Sequence, residues 1–166
     1  MRAVSMEHFR STLARMSGTP IQAGDAGEDL TRRLLDQCDV SWFFVEQDRA
    51  TKSTRLRALG AKRVDLVVAF QGTSLLLDSK CQHPSKRAPD GSLTFGLERT
   101  EIARLEATAK EFGLPLAVIF WDRGVQSATY VIEYLDRLDR EVEIAGKPGL
   151  AACFERHETC DVMLFD

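Results

Sequence analysis

The stretch that decides the fold is Arg63-Val64-Asp65-Leu66-Val67-Val68-Ala69-Phe70-Gln71-Gly72-Thr73-Ser74-Leu75-Leu76-Leu77-Asp78-Ser79-Lys80. Its two apolar runs, Arg63–Phe70 and Ser74–Lys80, read as strands, and Gln71-Gly72-Thr73 between them supplies the glycine of a hairpin turn. Charges inside such runs need a reason, because burying an uncompensated charge is costly. Asp65 interrupts the first run, and Asp78 and Lys80 close the second. Side chains alternate across a strand, so Asp78 and Lys80, two apart, share a face. A two-residue turn at Gln71-Gly72 sets Asp65 directly opposite Asp78; a longer turn would move it. Carboxylates so opposed have Cβ atoms roughly 5 Å apart and repel each other. A bound divalent cation turns that repulsion into ligation. With 25 acids and six lysines, about one acid-x-lysine triplet arises by chance, so Asp78-Ser79-Lys80 has meaning only through its setting. The bland alternative is a set of solvated strand-end charges.

Working outward, Glu98–Phe112 is an amphipathic helix with Ile102, Leu105, Ala109 and Phe112 on one side and Gly113 as its stop. Pro115–Trp121 is a buried strand, Ala128–Ile132 another, and Tyr134 to about Val142 a helix. The tail from Gly146 reads as irregular, with a strand at Val162–Phe165. Upstream, a helix over Ser5–Met16 is broken by Ser17 to Pro20, and a second helix runs from Asp25 to Gln37 with acids in its first turn. Trp42–Glu46 is a short strand. Arg49–Arg63 is polar and basic without regular pattern, and Cys81–Ser92, with Pro84, Pro89 and Asp90-Gly91, is a loop. This order makes one mixed α/β domain over 1–166: an N-terminal helical extension (1–23), a core (24–122) and a C-terminal strand, helix and tail (123–166).

These features together resemble the PD-(D/E)xK, or restriction-endonuclease-like, nuclease superfamily. Gly27-Glu28 lies on a helix, Val64-Asp65 opens a strand, Asp78-Ser79-Lys80 closes the next, and a helix and a strand follow as in that family's αβββαβ core. The spacing from Glu28 through a basic loop to the hairpin is most similar to archaeal-type Holliday junction resolvases. The resemblance covers residues 24–122, about 60% of the chain. Val64 stands where the family name has proline, a position at which proline is often absent. The resemblance implies a central mixed sheet flanked by helices and a Mg²⁺- or Mn²⁺-dependent endodeoxyribonuclease. Asp65 and Asp78 would bind the metal, and Glu28 would complete the site. Lys80 would orient or activate water and steady charge on the phosphate. The competing reading of Glu28 is an ordinary acidic helix turn. The resemblance also implies a homodimer, with the N-terminal helix as a candidate dimer element. A restriction, defence or effector nuclease, an RNA-cutting enzyme and a DNA-binding module without catalysis are the alternatives. The intact Asp65, Asp78 and Lys80 set speaks against the last.

The chemistry agrees with first principles, since a phosphodiester is anionic and repels hydroxide unless a metal neutralises charge and generates the nucleophile. The 166-residue chain, 44% apolar and 28% charged, is ordinary for a globular protein and excludes disorder or a coiled coil. Its net charge of −3 argues mildly against nucleic acid, but the distribution reverses that. Arg49–Arg87 carries +7 and the remainder −10. Arg49, Lys52, Arg55, Arg57, Lys62, Arg63, Lys86 and Arg87 are the candidate DNA-backbone contacts, on arms 49–62 and 81–92. Arg99 and Arg104 could add to them, and an ordinary solvated basic face is the alternative.

The longest apolar run, Leu114–Trp121, has eight residues and includes a proline, far short of the ~20 needed to span a bilayer. With no signal-peptide core at its start, a cytoplasmic protein with no membrane partner and four reduced cysteines is expected. Cys153, His157 and Cys160 fall short of zinc's four ligands, even with Cys81 or His83 nearby. Gln126 and Tyr130 match a nuclease spacing by coincidence, Trp42 and Trp121 read as core, and Gln82 continues the Asp78/Lys80 face. The acidic tail suits contact with protein better than with the DNA backbone.

Overall fold

A computed structural model describes residues 6–45, 52–70, 72–87, 93–123, 129–138, 150–156 and 160–161. Its centre is β6 (Leu116–Asp122), whose seven residues are all buried. The run is apolar on both faces because both are covered. Leu116, Val118 and Phe120 enter one hydrophobic cluster with Phe95, Leu97, Ile102 and Leu105. Ala117, Ile119 and Trp121 enter another with Met16, Ala26 and Leu30. The first cluster lies under α4 (Arg99–Phe112) and the second under α1 (Met6–Met16) and α2 (Pro20–Gln37).

Beside β6 runs β3 (Thr73–Gln82) in parallel, and β2 (Leu66–Phe70) pairs antiparallel with β3. The sheet continues outward to β1 (Ser41–Phe44) on one side and to β7 (Thr129–Tyr134) and β9 (Cys160–Asp161) on the other. This is the expected central mixed sheet with helices on both faces. The hairpin register is also as expected: Leu66 pairs with Leu77 and Phe70 with Thr73, leaving a two-residue turn. Gly72 sits there at φ 78, a conformation costly for any residue with a Cβ.

Several boundaries differ from the sequence reading. α2 begins at Pro20, not Asp25, because Thr19 and Gln22 close a capping box and Pro20 occupies the first turn. The first turn therefore holds no acid, and Glu28 lies farther along. Within the irregular basic stretch, Ser53 caps a short helix, α3 (Thr54–Ala58). The 81–92 loop is partly strand. β3 continues through Gln82 because β6 runs alongside it, and β4 (Lys86–Arg87) pairs with β5 (Leu93–Glu98). β8 (Leu150–Arg156) completes this second, three-stranded sheet, correcting the irregular tail. The helix expected from Tyr134 is also corrected, since Tyr134 stays in β7 opposite Ala117. A 3₁₀ turn over Leu135–Arg137 follows, with Leu135 and Leu138 both buried. Their three-residue spacing satisfies that turn as well as a helix. The strand expected at 162–165 lies outside the described residues. No described helix is long and apolar enough to cross a membrane.

One close contact fixes α2 on the sheet. A Cβ added at Gly27 would lie 2.9 Å from the Cys81 Cβ on β3. Thr31, one turn on, donates to the Gly27 carbonyl at 2.8 Å and accepts from Trp121 Nε1 at 2.8 Å. Gly24 on the same helix has nothing within 4 Å of such a Cβ. Gly24→Ala should therefore gain about 0.5–1 kcal/mol from helix propensity and backbone entropy. Gly27→Ala, with the same propensity gain, should lie about 1–3 kcal/mol below it from overpacking. Urea denaturation checks this, and equal stabilities for the two variants would refute the tight seat of α2.

Candidate active site

Asp65 lies just before β2, outside its paired ladder with β3. The Asp65 N–H donates to the Leu77 carbonyl at 3.2 Å, and the Asp65 carbonyl accepts from the Val45 N–H at 2.8 Å. The Asp65 carboxylate turns across to β3, where Oδ2 accepts from the Ser79 N–H at 2.6 Å. Because Leu76 faces the α4 cluster and Leu77 the α2 cluster, alternation puts Asp78 and Lys80 on the α4 face. Ser79 points the other way, its hydroxyl 3.0 Å from Thr31 Oγ1. Thr31 spends its own proton on Gly27, so Ser79 is the donor in that pair. The middle residue of Asp78-Ser79-Lys80 thus holds Asp65 through its backbone and α2 through its side chain.

Asp78 is fully buried and charge-balanced from two directions. Lys80 Nζ lies 2.5 Å from Oδ2, and Lys62 Nζ lies 3.0 and 2.9 Å from Oδ1 and Oδ2. Glu101, in the first turn of α4, joins them, with its Oε1 2.7 Å from Lys62 and 3.0 Å from Lys80. Glu28 reaches the same neighbourhood from α2, where it senses the charges of both Asp78 and Lys80. The structure ties Asp78 to Lys80 by an ion pair and Asp65 to the Ser79 between them by a hydrogen bond, while Glu28, on α2, is linked to them through charge alone. It adds Glu101, which sequence reasoning missed, and moves Lys62 from a general basic stretch to the centre of the cluster. The one sequence signal for Glu101 is its place early in the helix that follows the hairpin.

The electrostatics are those of a site with too many carboxylates. Burial, reinforced by the Asp78 charge, pushes Asp65 up to about 7 despite the Ser79 hydrogen bond. Burial likewise raises Glu28, while Arg32 and Asp25 act on it in opposite directions. Burial works against ionisation of Glu101 too, but Lys80 and Lys62 outweigh it and hold its carboxyl below the usual range. For Lys80, burial is overcome by Asp78 and Glu101, so its ammonium is held more firmly protonated than usual. With all ionised, the four carboxylates outnumber the Lys62 and Lys80 ammonium groups, even with Arg32 acting on Glu28. Hard oxygen donors in excess of the positive charge fit a small divalent cation. Among the described residues, no three His, Cys, Asp or Glu side chains converge as a ready-made cage, so the carboxylates would have to shift to hold a cation.

The basic residues divide. Lys52 Nζ donates to the Ala61 carbonyl, and Arg55 pairs with Glu111 on α4. Arg57 is exposed on α3. Arg63 lines a cleft with Lys52 and Lys62. Arg49 and the side chains of Lys86 and Arg87 lie outside the described residues. Gln82 donates to the Gly96 carbonyl at 3.0 Å, tying the two sheets together. Burial pushes the Cys81 thiol up to about 11, against a ligand role. The side chains of Cys153, His157 and Cys160 lie outside the described residues. Trp121 is core as expected, whereas Trp42 is half-buried and donates to Asp36 Oδ1 at 2.7 Å.

No protein-family model matches the chain, and no curated protein matches it. Among solved structures, the chain is similar in fold to Hjc, a Holliday junction resolvase from the archaeal hyperthermophile Archaeoglobus fulgidus, with a TM-score of 0.49 and 15% identity over 84% of this chain and 91% of that one.

Proposed function

We propose that this chain is a divalent-cation-dependent endodeoxyribonuclease. The observation that carries the reading is the buried Asp78, with Lys80 two residues on and ion-paired to it, and the Asp65 carboxylate held against the same strand by the Ser79 N–H. Structural charges are seldom stacked this way, because each buried carboxylate raises the cost of ionising the next. Asp65 and Asp78, with Glu28, would hold a Mg²⁺ or Mn²⁺ ion. Bound there, such an ion supplies Lewis acidity to the phosphate and acidifies the attacking water. Lys80, kept protonated by its two acids, places a fixed positive charge beside the reacting phosphate and orients water by hydrogen bonding. The Arg49–Arg87 stretch, at +7, supplies the backbone attraction that any sequence-independent nuclease needs.

The test is a cleavage panel of four-way junction, duplex and single-stranded DNA and RNA, with Mg²⁺, Mn²⁺ or EDTA. The spacing of Glu28, basic loop and hairpin ranks the junction first. DNA cleavage that EDTA abolishes is the expected result. DNA binding with no cleavage in either metal would instead make the chain a binding module, and preferential RNA cutting would change the substrate class.

A further inference from the structure

The two ammonium groups on Asp78 are not equivalent. Both reach Glu101, but Lys80 meets the Asp78 carboxylate at Oδ2, whereas Lys62 spans both of its oxygens. An ammonium astride a buried carboxylate occupies the place of a cation that the carboxylate would ligate. The two cannot be there together.

Lys62 is also the one built to move. Its backbone is pinned to α4: the N–H donates to the Arg104 carbonyl at 3.1 Å, and the Lys62 carbonyl accepts from the Thr108 hydroxyl. Lys62 lines a cleft of about 450 Å³, walled mainly by apolar residues such as Leu56, Val64, Leu76 and Phe112, with Lys52 and Arg63 also on it. A fixed backbone with free volume alongside lets the ammonium swing while the main chain stays still. Lys80, by contrast, rises from the middle of the sheet, its backbone paired opposite Phe120.

We propose that Lys62 is an internal stand-in for the divalent cation. It balances Asp78 while neither cation nor nucleic acid is bound. It then gives way to the arriving ion and turns from Asp78 toward the substrate phosphate, leaving Lys80 in place. This rests on the reading of the cluster as a cation-dependent nuclease centre. Two consequences follow from competition for one carboxylate. Without nucleic acid, divalent cations bind weakly, because each must displace an ion pair. A DNA phosphate offers Lys62 another partner, so cation and DNA bind cooperatively.

The test uses the full chain without DNA, titrated with Mn²⁺ by electron paramagnetic resonance of the free ion. Lys62→Met should bind Mn²⁺ about tenfold more tightly than the native chain, or better, a gain of about 1.4 kcal/mol. Native binding with equal or weaker binding in the variant overturns the stand-in role and leaves the nuclease reading intact. No binding by either protein overturns both. Because Lys62→Met removes a partner from a buried acid and can weaken the fold, the native protein supplies a second measurement. Amine acylation mapped by mass spectrometry should rise several-fold at Lys62 when Mn²⁺ saturates the site. Exposed Lys110 on α4 should stay constant as the internal standard. Unchanged labelling at Lys62 under saturating Mn²⁺ also overturns the proposal.

Discussion

Asp78→Asn should lower DNA cleavage by about 10³-fold while retaining the native secondary structure. The carboxylate is fully buried and holds Lys62 and Lys80, so its loss has two separable effects. The first is chemical. An amide is a poor ligand for a hard cation, and removing one preorganised electrostatic group from a reacting centre costs on the order of 10²–10³ in rate even when the rest of the site survives. The second is structural. Two half-buried ammonium groups are left with Glu101 as their remaining acid, and breaking a buried ion pair costs about 3–5 kcal/mol. Cleavage should therefore be assayed well below the variant's melting temperature, with circular dichroism as the control. Lys80→Gln separates the roles. It should lose about 10²-fold or more in cleavage while still binding Mn²⁺, because it leaves every carboxylate in place. Asp78→Asn cleaving within about tenfold of the native rate would remove Asp78 from the reaction, since even one lost stabilising group costs more.

The hairpin and its charges were legible in the sequence because their rules are local. A glycine turn sets an offset, the offset decides which residues oppose each other, and alternation decides the shared face. The two-residue turn and Lys80 beside Asp78 follow from those statements and are as expected, whereas Asp65 falls just before the paired ladder and reaches β3 through the Ser79 N–H instead. What stayed hidden depends on residues far apart in the chain. β5 reads poorly by itself, with Asp90-Gly91 just before it, and becomes a strand by pairing with β8 some sixty residues later. Glu101 and Lys62 meet Asp78 because α4 and the segment before β2 converge over one sheet face, which no spacing encodes. The start of α2 is a different case. Thr19, Pro20 and Gln22 are a local signal for a helix start, but Ser17-Gly18-Thr19-Pro20 also carries the marks of a break. The chain does break at Ser17-Gly18, but the helix restarts at once at Pro20, ahead of the expected start at Asp25.

Asp65→Asn should make the cation-free protein more stable at pH 8, the reverse of what deleting a site charge does to activity. Burial and the neighbouring Asp78 raise the Asp65 carboxyl to about 7 from an ordinary value near 3.8. Between those values the unfolded chain has released this proton and the folded chain still holds it. The folded state then binds more protons, so stability falls as pH rises across that window and levels off above about 7. Making an acid tenfold weaker costs its ionised form about 1.4 kcal/mol, so the ionised Asp65 carries a penalty of about 2–4 kcal/mol at pH 8. The amide in D65N bears no such penalty and can still accept the Ser79 N–H through its oxygen. Chemical denaturation of the two proteins in EDTA should give nearly equal stabilities at pH 4. The gap should widen in favour of D65N through pH 7 and stay constant at pH 8. Adding Mg²⁺ at pH 8 should then narrow or reverse it, because a cation that binds only the folded native chain stabilises that chain by mass action. If D65N were instead less stable than the native protein at pH 8 in EDTA, the carboxylate would be stabilising the fold. The crowding of acids would then be structural, and a cation would have no charge deficit to fill.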